Sequence, residues 1–139
     1  MFWKWVIPIY SEDMDEDNFT PGEINVLIEM IREHDAFIIS SPEHNAGPTA
    51  FFKNITDWLS RRAEKVMEDK PVLLLSTSPG RRGALSSRSY YEENLPRIGG
   101  KVVVSFGLPS FHHVMVDGKL LDEAQTSLEE AIRKFQEGL

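Results

Sequence analysis

Short apolar segments alternate with helical patterns along this chain, and the alternation limits the folds it can adopt. Residues 36–40, 71–76 and 101–106 are rich in apolar residues and predict strands, of which the first two suit strands that are covered on both faces of a parallel sheet. An aromatic run at residues 2–7 predicts a further strand before them. Helical patterns follow each segment, so the predicted order is β-α-β-α-β-α-β-α. We therefore expect a single α/β domain over residues 1–139.

The helices are predicted from apolar residues at helical spacing and from their end signals. Thr20 offers an N-cap, with Pro21 at the first helical position and Glu23 completing a capping box. A less regular helix over residues 85–97 ends at the glycine pair 99–100. Three stripes at helical spacing mark the helices: Ile24, Leu27, Ile28 and Ile31; Phe51, Ile55, Trp58 and Leu59; and Leu121, Gln125, Leu128, Ile132 and Phe135.

Composition excludes several classes of function. The 139 residues include no cysteine, which excludes disulfides, thiolate metal sites and cysteine nucleophiles. The net charge of −7 makes the chain a poor nucleic-acid binder. No apolar run approaches the roughly 20 residues that span a bilayer. Because residues 1–10 contain Lys4 and Pro8 and lack a small-residue cleavage site, they suit a strand rather than a signal peptide. We expect a cytoplasmic protein.

Two polar loops follow predicted strands, and these are the places where such a sheet binds ligands. The first loop is residues 41–48 and the second loop is residues 76–83. Both are rich in Gly, Pro, Ser and Asn, which turn backbone N–H and C=O groups outward. That arrangement suits a flat heterocycle such as a flavin. Two ordinary strand–helix turns would have the same composition, so composition alone leaves both interpretations open.

Three motifs resemble those of the NADPH-dependent FMN reductase family. Residues 41–45 and 53–61 read S-P-E-H-N and K-N-I-T-D-W-L-S-R, similar to the family pattern S-P-E-Y-N-G…L-K-N-A-I-D-W-L-S-R. Residues 8–13 resemble the family's L-P-L-Y-x-E-D segment. Residues 70–83 resemble its K-P-V…S-x-S-x-G-x-x-G loop. The motifs occur in the family's order, and the resemblance extends over nearly the whole chain.

The resemblance implies a flavodoxin-like three-layer α/β/α fold, usually dimeric or tetrameric, that binds FMN and takes hydride from NAD(P)H. Electrons then pass to quinones, azo dyes, metal ions or free flavin. Because the cofactor carries this chemistry, no catalytic acid or base is expected. Lys53 and Asp57 would fix their helix, and Trp58 would pack in the core. The cofactor-binding residues implied are Pro42, Glu43, His44, Asn45, Ser78 and Gly80.

The chain departs from the family pattern in three places. His44 stands where the family usually has Tyr. It would be either a partner for the edge of the flavin ring or a solvent-exposed substitution. Ala46 replaces Gly, which would strain a backbone of positive φ. The family's opening strand, phosphate-binding loop and helix have no counterpart, although that loop holds the FMN phosphate at a helix N-terminus. The chain would then be a fragment, a sheet closed into four strands, or a subunit whose neighbours fill the gap.

This missing start leaves the function open at the sequence level. FMN binding is expected to be weak, because several charge-assisted hydrogen bonds would be lost. The alternative function is a non-catalytic flavodoxin-like protein that acts in oligomerisation or binding. A flavodoxin-type electron carrier is a third possibility, which the long motif match disfavours.

Several weaker sequence signals also suit ordinary surface roles. His112 and His113 lack a third ligand at suitable spacing, so no metal site is predicted. Arg81 and Arg82 would suit the 2′-phosphate of NADPH or an ordinary solvated loop. The acidic residues 13–17 are interpreted as a solvated loop. The aromatic side chains at positions 2, 3 and 5 are expected to be buried against a neighbouring element or in a dimer interface.

Overall fold

A computed structural model describes residues 5–16 and 19–139, and its centre is a three-stranded parallel sheet. The strands are β1 (Phe37–Ser40), β2 (Pro71–Thr77) and β3 (Lys101–Leu108), in the order β1-β2-β3. A small antiparallel hairpin joins β4 (Met115–Val116) to β5 (Lys119–Leu120). The helices are α1 (Glu12–Glu16), α2 (Gly22–Arg32), α3 (Ala50–Arg62), α4 (Leu85–Asn94), α5 (Phe111–Val114) and α6 (Asp122–Glu137).

The central strand β2 holds the sheet together. It pairs in parallel with β1 from Phe37↔Val72 onward and with β3 from Pro71↔Lys101 onward. A bulge between Val72 and Leu73 shifts the β3 register. The side chains at positions 72–74 are fully buried, because this strand is covered on both faces. The parallel sheet with alternating helices confirms the predicted fold class.

The strand predicted over residues 2–7 is not observed at residues 5–7, and residues 1–4 lie outside the described residues. The following backbone instead binds side chains of α3. The Pro8 carbonyl accepts hydrogen bonds from Trp58 Nε1 at 2.8 Å and from Asn54 Nδ2 at 3.0 Å, and the Tyr10 N–H donates to Asn54 Oδ1 at 2.9 Å. At residues 5–7 the strand prediction was therefore wrong, and the backbone that follows is bound by side chains of a helix. Among the described residues the parallel sheet has three strands.

The prediction that β1 is covered on both faces was also wrong. Phe37 and Ile39 pack against the core, whereas Ile38 points to the opposite face and is 62% exposed. Among the described residues, no strand pairs with the second edge of β1. A largely apolar cavity of about 660 Å³ lies along this region, between β1, α2 and α3.

Helix α2 buries the predicted face but begins differently. Its buried residues are Ile24, Ile28 and Ile31, as the stripe predicted. The N-cap is Pro21 rather than Thr20, and no side chain caps the helix, so the predicted capping box was wrong.

None of the helices in the described part of the chain combines the length and the apolar character that a membrane span needs.

The two other predicted stripes are confirmed only in part. In α3, Trp58 and Leu59 are buried, but Phe51 is 54% exposed beside the open edge of the sheet. Leu121 is exposed because it precedes α6 as the N-cap residue, and Gln125 is exposed as well. Phe135 of the predicted stripe is buried, and Ala124 and Ala131, which the stripe did not include, complete the buried face of α6.

The predicted stop after α4 is confirmed. The helix passes into a 3₁₀ turn (Leu95–Ile98) that ends at Gly99, whose φ is +85°. A Cβ at position 99 would lie 3.0 Å from the Lys65 carbonyl oxygen and the Glu68 nitrogen. Glycine is therefore required here for both conformation and space.

The acidic segment near the N-terminus is a helix rather than the predicted solvated loop. Residues 12–16 form α1, and position 17 lies outside the described residues. Asp15 forms ion pairs with Arg61 and Arg62 on α3 and accepts a hydrogen bond from the Tyr10 hydroxyl. These hydrogen bonds, that from Arg62 first, lower the pKa of Asp15 to about 2. Asp15 thus ties the N-terminal segment to α3.

Candidate functional site

The first loop (residues 41–48) contains a tight turn with an unfavourable residue in it. His44 and Gly47 exchange two backbone hydrogen bonds of 3.0 Å, which close a two-residue turn. Its central residues, Asn45 and Ala46, have φ values of +50° and +57°. Asn tolerates this conformation well, but Ala does not. The strain that Ala46 was expected to carry is therefore present in the backbone.

The first loop presents its polar groups to solvent at the carboxyl end of β1. The side chains of Pro42, His44 and Asn45 are exposed. The backbone N–H groups of Glu43 and Asn45 make no hydrogen bond to any other described residue. Since each is a strong donor with no partner in this part of the chain, both can bind the acceptor-rich edge of a ligand.

The side chain of Glu43 does not point to the ligand side of its loop. Its Oε2 atom accepts hydrogen bonds from the Ser86 and Ser87 N–H groups, at 2.8 and 3.2 Å. These are in the first turn of α4. The Ser87 hydroxyl also donates to the Pro42 carbonyl at 3.1 Å and lies 3.2 Å from Ser41 Oγ. Glu43 is thus a structural link through its side chain, and only its backbone is free for a ligand.

The second loop (residues 76–83) uses Ser78 mainly for internal contacts. Ser78 Oγ accepts from the Ala84 N–H at 3.0 Å, and the Ser78 carbonyl accepts from the Phe111 N–H at 3.0 Å. The Gly80 carbonyl accepts from the Ser110 N–H at 2.9 Å. Gly80 is exposed, and its N–H has no hydrogen-bond partner within residues 5–16 and 19–139. Of the two residues predicted here, Ser78 has its side chain engaged within the protein, whereas Gly80 is exposed.

Arg88 donates hydrogen bonds to the second loop, and no sequence pattern indicated this role. Its Nη1 atom donates to Ser76 Oγ at 2.9 Å and to the Gly83 carbonyl at 3.4 Å. The side chain is only 14% exposed and lies 3.6 Å from the Glu92 carboxylate. The contact with Ser76 joins residues 12 positions apart, in a strand and the next helix, so no local pattern could reveal it.

Tyr91 is buried next to the first loop, and no sequence pattern indicated this residue either. It is fully buried, and its ring centroid lies 4.5 Å from that of Phe52. Burial raises the pKa of Tyr91, and the nearby Ser41 hydroxyl partly opposes that effect. The Tyr91 hydroxyl makes no hydrogen bond of normal geometry within the described part of the chain.

Four further charged residues lie in α3 and on the second loop. Lys53 and Asp57 form an ion pair of 2.6 Å across one turn of α3, and this contact raises the pKa of Lys53. Together with the buried Trp58, the pair confirms the structural roles predicted for them. Arg81 and Arg82 are exposed on the second loop.

The histidine pair does not lie on a strand. His112 and His113 are exposed in the short helix α5. No group of three or more metal-ligating side chains occurs among the described residues.

The two loops could hold a flavin by its polar edges. Both lie at the carboxyl edge of the sheet, and the backbone N–H groups at positions 43, 45 and 80, which have no partner among the described residues, are donors of the kind that the acceptor atoms of an isoalloxazine ring require. The free backbone donors at this edge therefore suit an FMN ring, and the assignment of the six residues stays a prediction. The side chains of Glu43 and Ser78 are already engaged within the protein.

The parallel sheet with its two polar loops defines a flavodoxin-like α/β domain. The chain superimposes with a TM-score of 0.68 on FerB, a flavoenzyme NAD(P)H:(acceptor) oxidoreductase from Paracoccus denitrificans. That likeness covers 94% of this chain and 76% of FerB at 24% identity, and it shows the fold. A similar likeness, with a TM-score of 0.63 and 18% identity, exists to an apo NADH:FMN oxidoreductase, covering 94% and 67% of the two chains.

The sequence pattern of NADPH-dependent FMN reductases matches residues 4–113, and the chain belongs to this family. It is 36% identical over 74 residues to a quinone reductase of Escherichia coli (strain K12), covering 53% of this chain and 39% of the relative. It is 32% identical over 80 residues to an Arabidopsis thaliana NADPH:quinone oxidoreductase, covering 58% and 40%. The chain thus spans about two fifths of the length of these curated relatives.

Proposed function

We propose that this protein is an FMN-dependent NAD(P)H oxidoreductase that reduces quinones, azo compounds or similar small acceptors. The observation that carries the proposal is the pair of family-type loops at one sheet edge, with free backbone donors at positions 43, 45 and 80. The similarity to quinone reductases supports this class of acceptor.

The protein would contribute binding and orientation. When bound, FMN supplies the hydride and electron transfer itself. The backbone of Glu43 and Asn45 would hold one edge of the flavin ring, and the backbone of Gly80 would approach the other. Pro42 and His44 would line the first side of the ring, and Ser78 would keep the second loop in place through its bond to Ala84. No side chain is assigned a proton-transfer role.

The test is a visible absorbance spectrum of the purified chain before and after incubation with FMN and desalting. The expected result is a flavin band that desalting reduces but does not remove, followed by quinone-dependent oxidation of NADPH or NADH. Gly80→Pro removes the free N–H of the second loop and should weaken retention, whereas Gly22→Ala, at a position with open space around it, should not. A wild-type protein that emerges colourless would contradict the proposal and support a non-catalytic binding or oligomerising role.

We also propose a cytoplasmic homodimer or homotetramer, in which a second copy covers the open edge of β1. Ile38 at this edge is 62% exposed, and the adjoining Phe51 is 54% exposed. Light scattering should give an oligomeric mass for the wild type and a smaller mass for Ile38→Lys. Val6→Lys, at an 81% exposed position outside the sheet, is the control and should stay oligomeric. A monomeric wild type would contradict this proposal.

A further inference from the structure

The start of α4 is fixed by a carboxylate from far away in the sequence. The N-cap residue of α4 is Ala84, which has no side-chain group to cap the helix. Glu43, more than 40 residues earlier, supplies the acceptor for the Ser86 and Ser87 N–H groups. A negative charge here also interacts favourably with the helix dipole.

The same helical turn also holds the second loop. The Ala84 N–H donates to Ser78 Oγ at 3.0 Å, while the N–H groups two and three positions later donate to Glu43. Ala84 itself has a φ of +58°, an unfavourable conformation for Ala, so surrounding contacts must hold it in place. The first turn of α4 is therefore a shared attachment point for both loops.

From these contacts we propose that Glu43 is a positioning residue, whose carboxylate fixes the first loop relative to the second in the arrangement that a flavin between them requires. The flavin part of this inference rests on the proposed function. Binding groups must be held by supporting hydrogen bonds to within fractions of an ångström, so loss of the carboxylate would weaken flavin binding without removing any group that touches the ring.

The contacts around Glu43 allow a specific test. The buried pair Ser41–Ser87 and the bond from Ser87 to the Pro42 carbonyl do not involve the carboxylate. A variant that lacks the carboxylate therefore keeps a second attachment between the first loop and α4 and is expected to fold. Glu93, exposed on α4 and without a hydrogen bond or ion pair among the described residues, offers a matched control.

The experiment compares Glu43→Ala, Glu43→Gln and Glu93→Gln with the wild type. FMN affinity, measured by quenching of flavin fluorescence, should fall about tenfold or more in Glu43→Ala, as for a lost pair of charge-assisted hydrogen bonds. Glu43→Gln keeps an acceptor oxygen and should recover most of the affinity. Glu93→Gln should bind as the wild type does. Affinity within about twofold of wild type in Glu43→Ala would overturn the inference.

A second measurement separates this inference from the proposed function. Amide hydrogen exchange, followed by NMR without FMN, should be faster in Glu43→Ala at positions 84, 86 and 87 and unchanged in Glu93→Gln. Unchanged exchange in Glu43→Ala would overturn the structural link even if FMN binds. If the wild type fails to bind FMN, the proposed function and the flavin role both fall, while faster exchange would still support the link between the loops.

Discussion

The guanidinium of Arg88 lies across Gly107 so closely that a Cβ atom at position 107 would stand 1.6 Å from Arg88 Nη1. The same Cβ would lie 3.0 Å from the Gly83 carbonyl oxygen. Hydrogen bonds to Ser76 and Gly83 hold Arg88 in this position. Strand β3 can therefore pack against Arg88 only if residue 107 has no side chain. The second loop therefore depends on one glycine in β3 and one arginine in α4.

Gly107→Ala should destabilise the protein by about 2 kcal/mol, because Arg88 must move and lose its charge-assisted hydrogen bonds. Urea unfolding followed by circular dichroism would measure this loss. Gly22→Ala is the control, since nothing lies within 4 Å of its added Cβ, and it should change stability little or raise it slightly. Equal stabilities for the two variants would show that the Arg88 contact does not constrain position 107.

Ala46→Gly should stabilise the first loop by about 1 kcal/mol, because Ala46 has a φ of +57° and Gly adopts such values without steric cost. Thermal unfolding would detect a higher Tm. Gly47→Ala, the reverse exchange at the neighbouring position, is the matched control. Its Cβ would meet only the His44 carbonyl oxygen, at an ordinary 3.7 Å, and φ is not positive there, so a near-neutral effect is expected. A lower Tm for Ala46→Gly would contradict the strain argument.

The contribution of Asp15 to stability should depend on pH. Its pKa is lowered from 3.8 to about 2 in the folded protein by hydrogen bonds from Arg62, Tyr10 and Arg61. The stabilisation is therefore fully present above about pH 4 and is lost as pH falls toward 2. Asp15→Asn should be less stable than wild type at pH 7, and the difference should vanish near pH 2. The exposed Asp13→Asn is the control, and a difference that persists unchanged at pH 2 would contradict the prediction.

Asn54→Ala should loosen residues 5–10, because it removes the bonds to the Pro8 carbonyl and from the Tyr10 N–H. A loss of about 1–3 kcal/mol is expected when these groups lose a partner. Limited proteolysis should cut the N-terminal segment faster, while Asn25→Ala, an exposed substitution on α2, should leave the rate unchanged. If Asn54→Ala resists proteolysis as well as the wild type does, the prediction is wrong and the Trp58 bond to Pro8 is enough to hold the segment.

The sequence by itself determined the strands β1, β2 and β3, their alternation with helices and the two loops after β1 and β2. These features depend on local patterns: apolar runs, helical spacing and turn residues within a few positions of each other. The family motifs also identified which loops to examine. The six proposed flavin-contacting residues remain a prediction drawn from those motifs.

Only the tertiary structure decided the roles that depend on distant partners. The segment before Pro8 has β-type composition, yet no strand forms at residues 5–7, and Asn54 and Trp58 bind the Pro8 carbonyl that follows them. Glu43 reads as a loop residue, but its carboxylate caps α4. Arg88 and Gly107 fit together although they lie on different elements. In each case hydrogen bonding or space set by a remote element outweighs local preference, and a one-dimensional pattern does not carry that information.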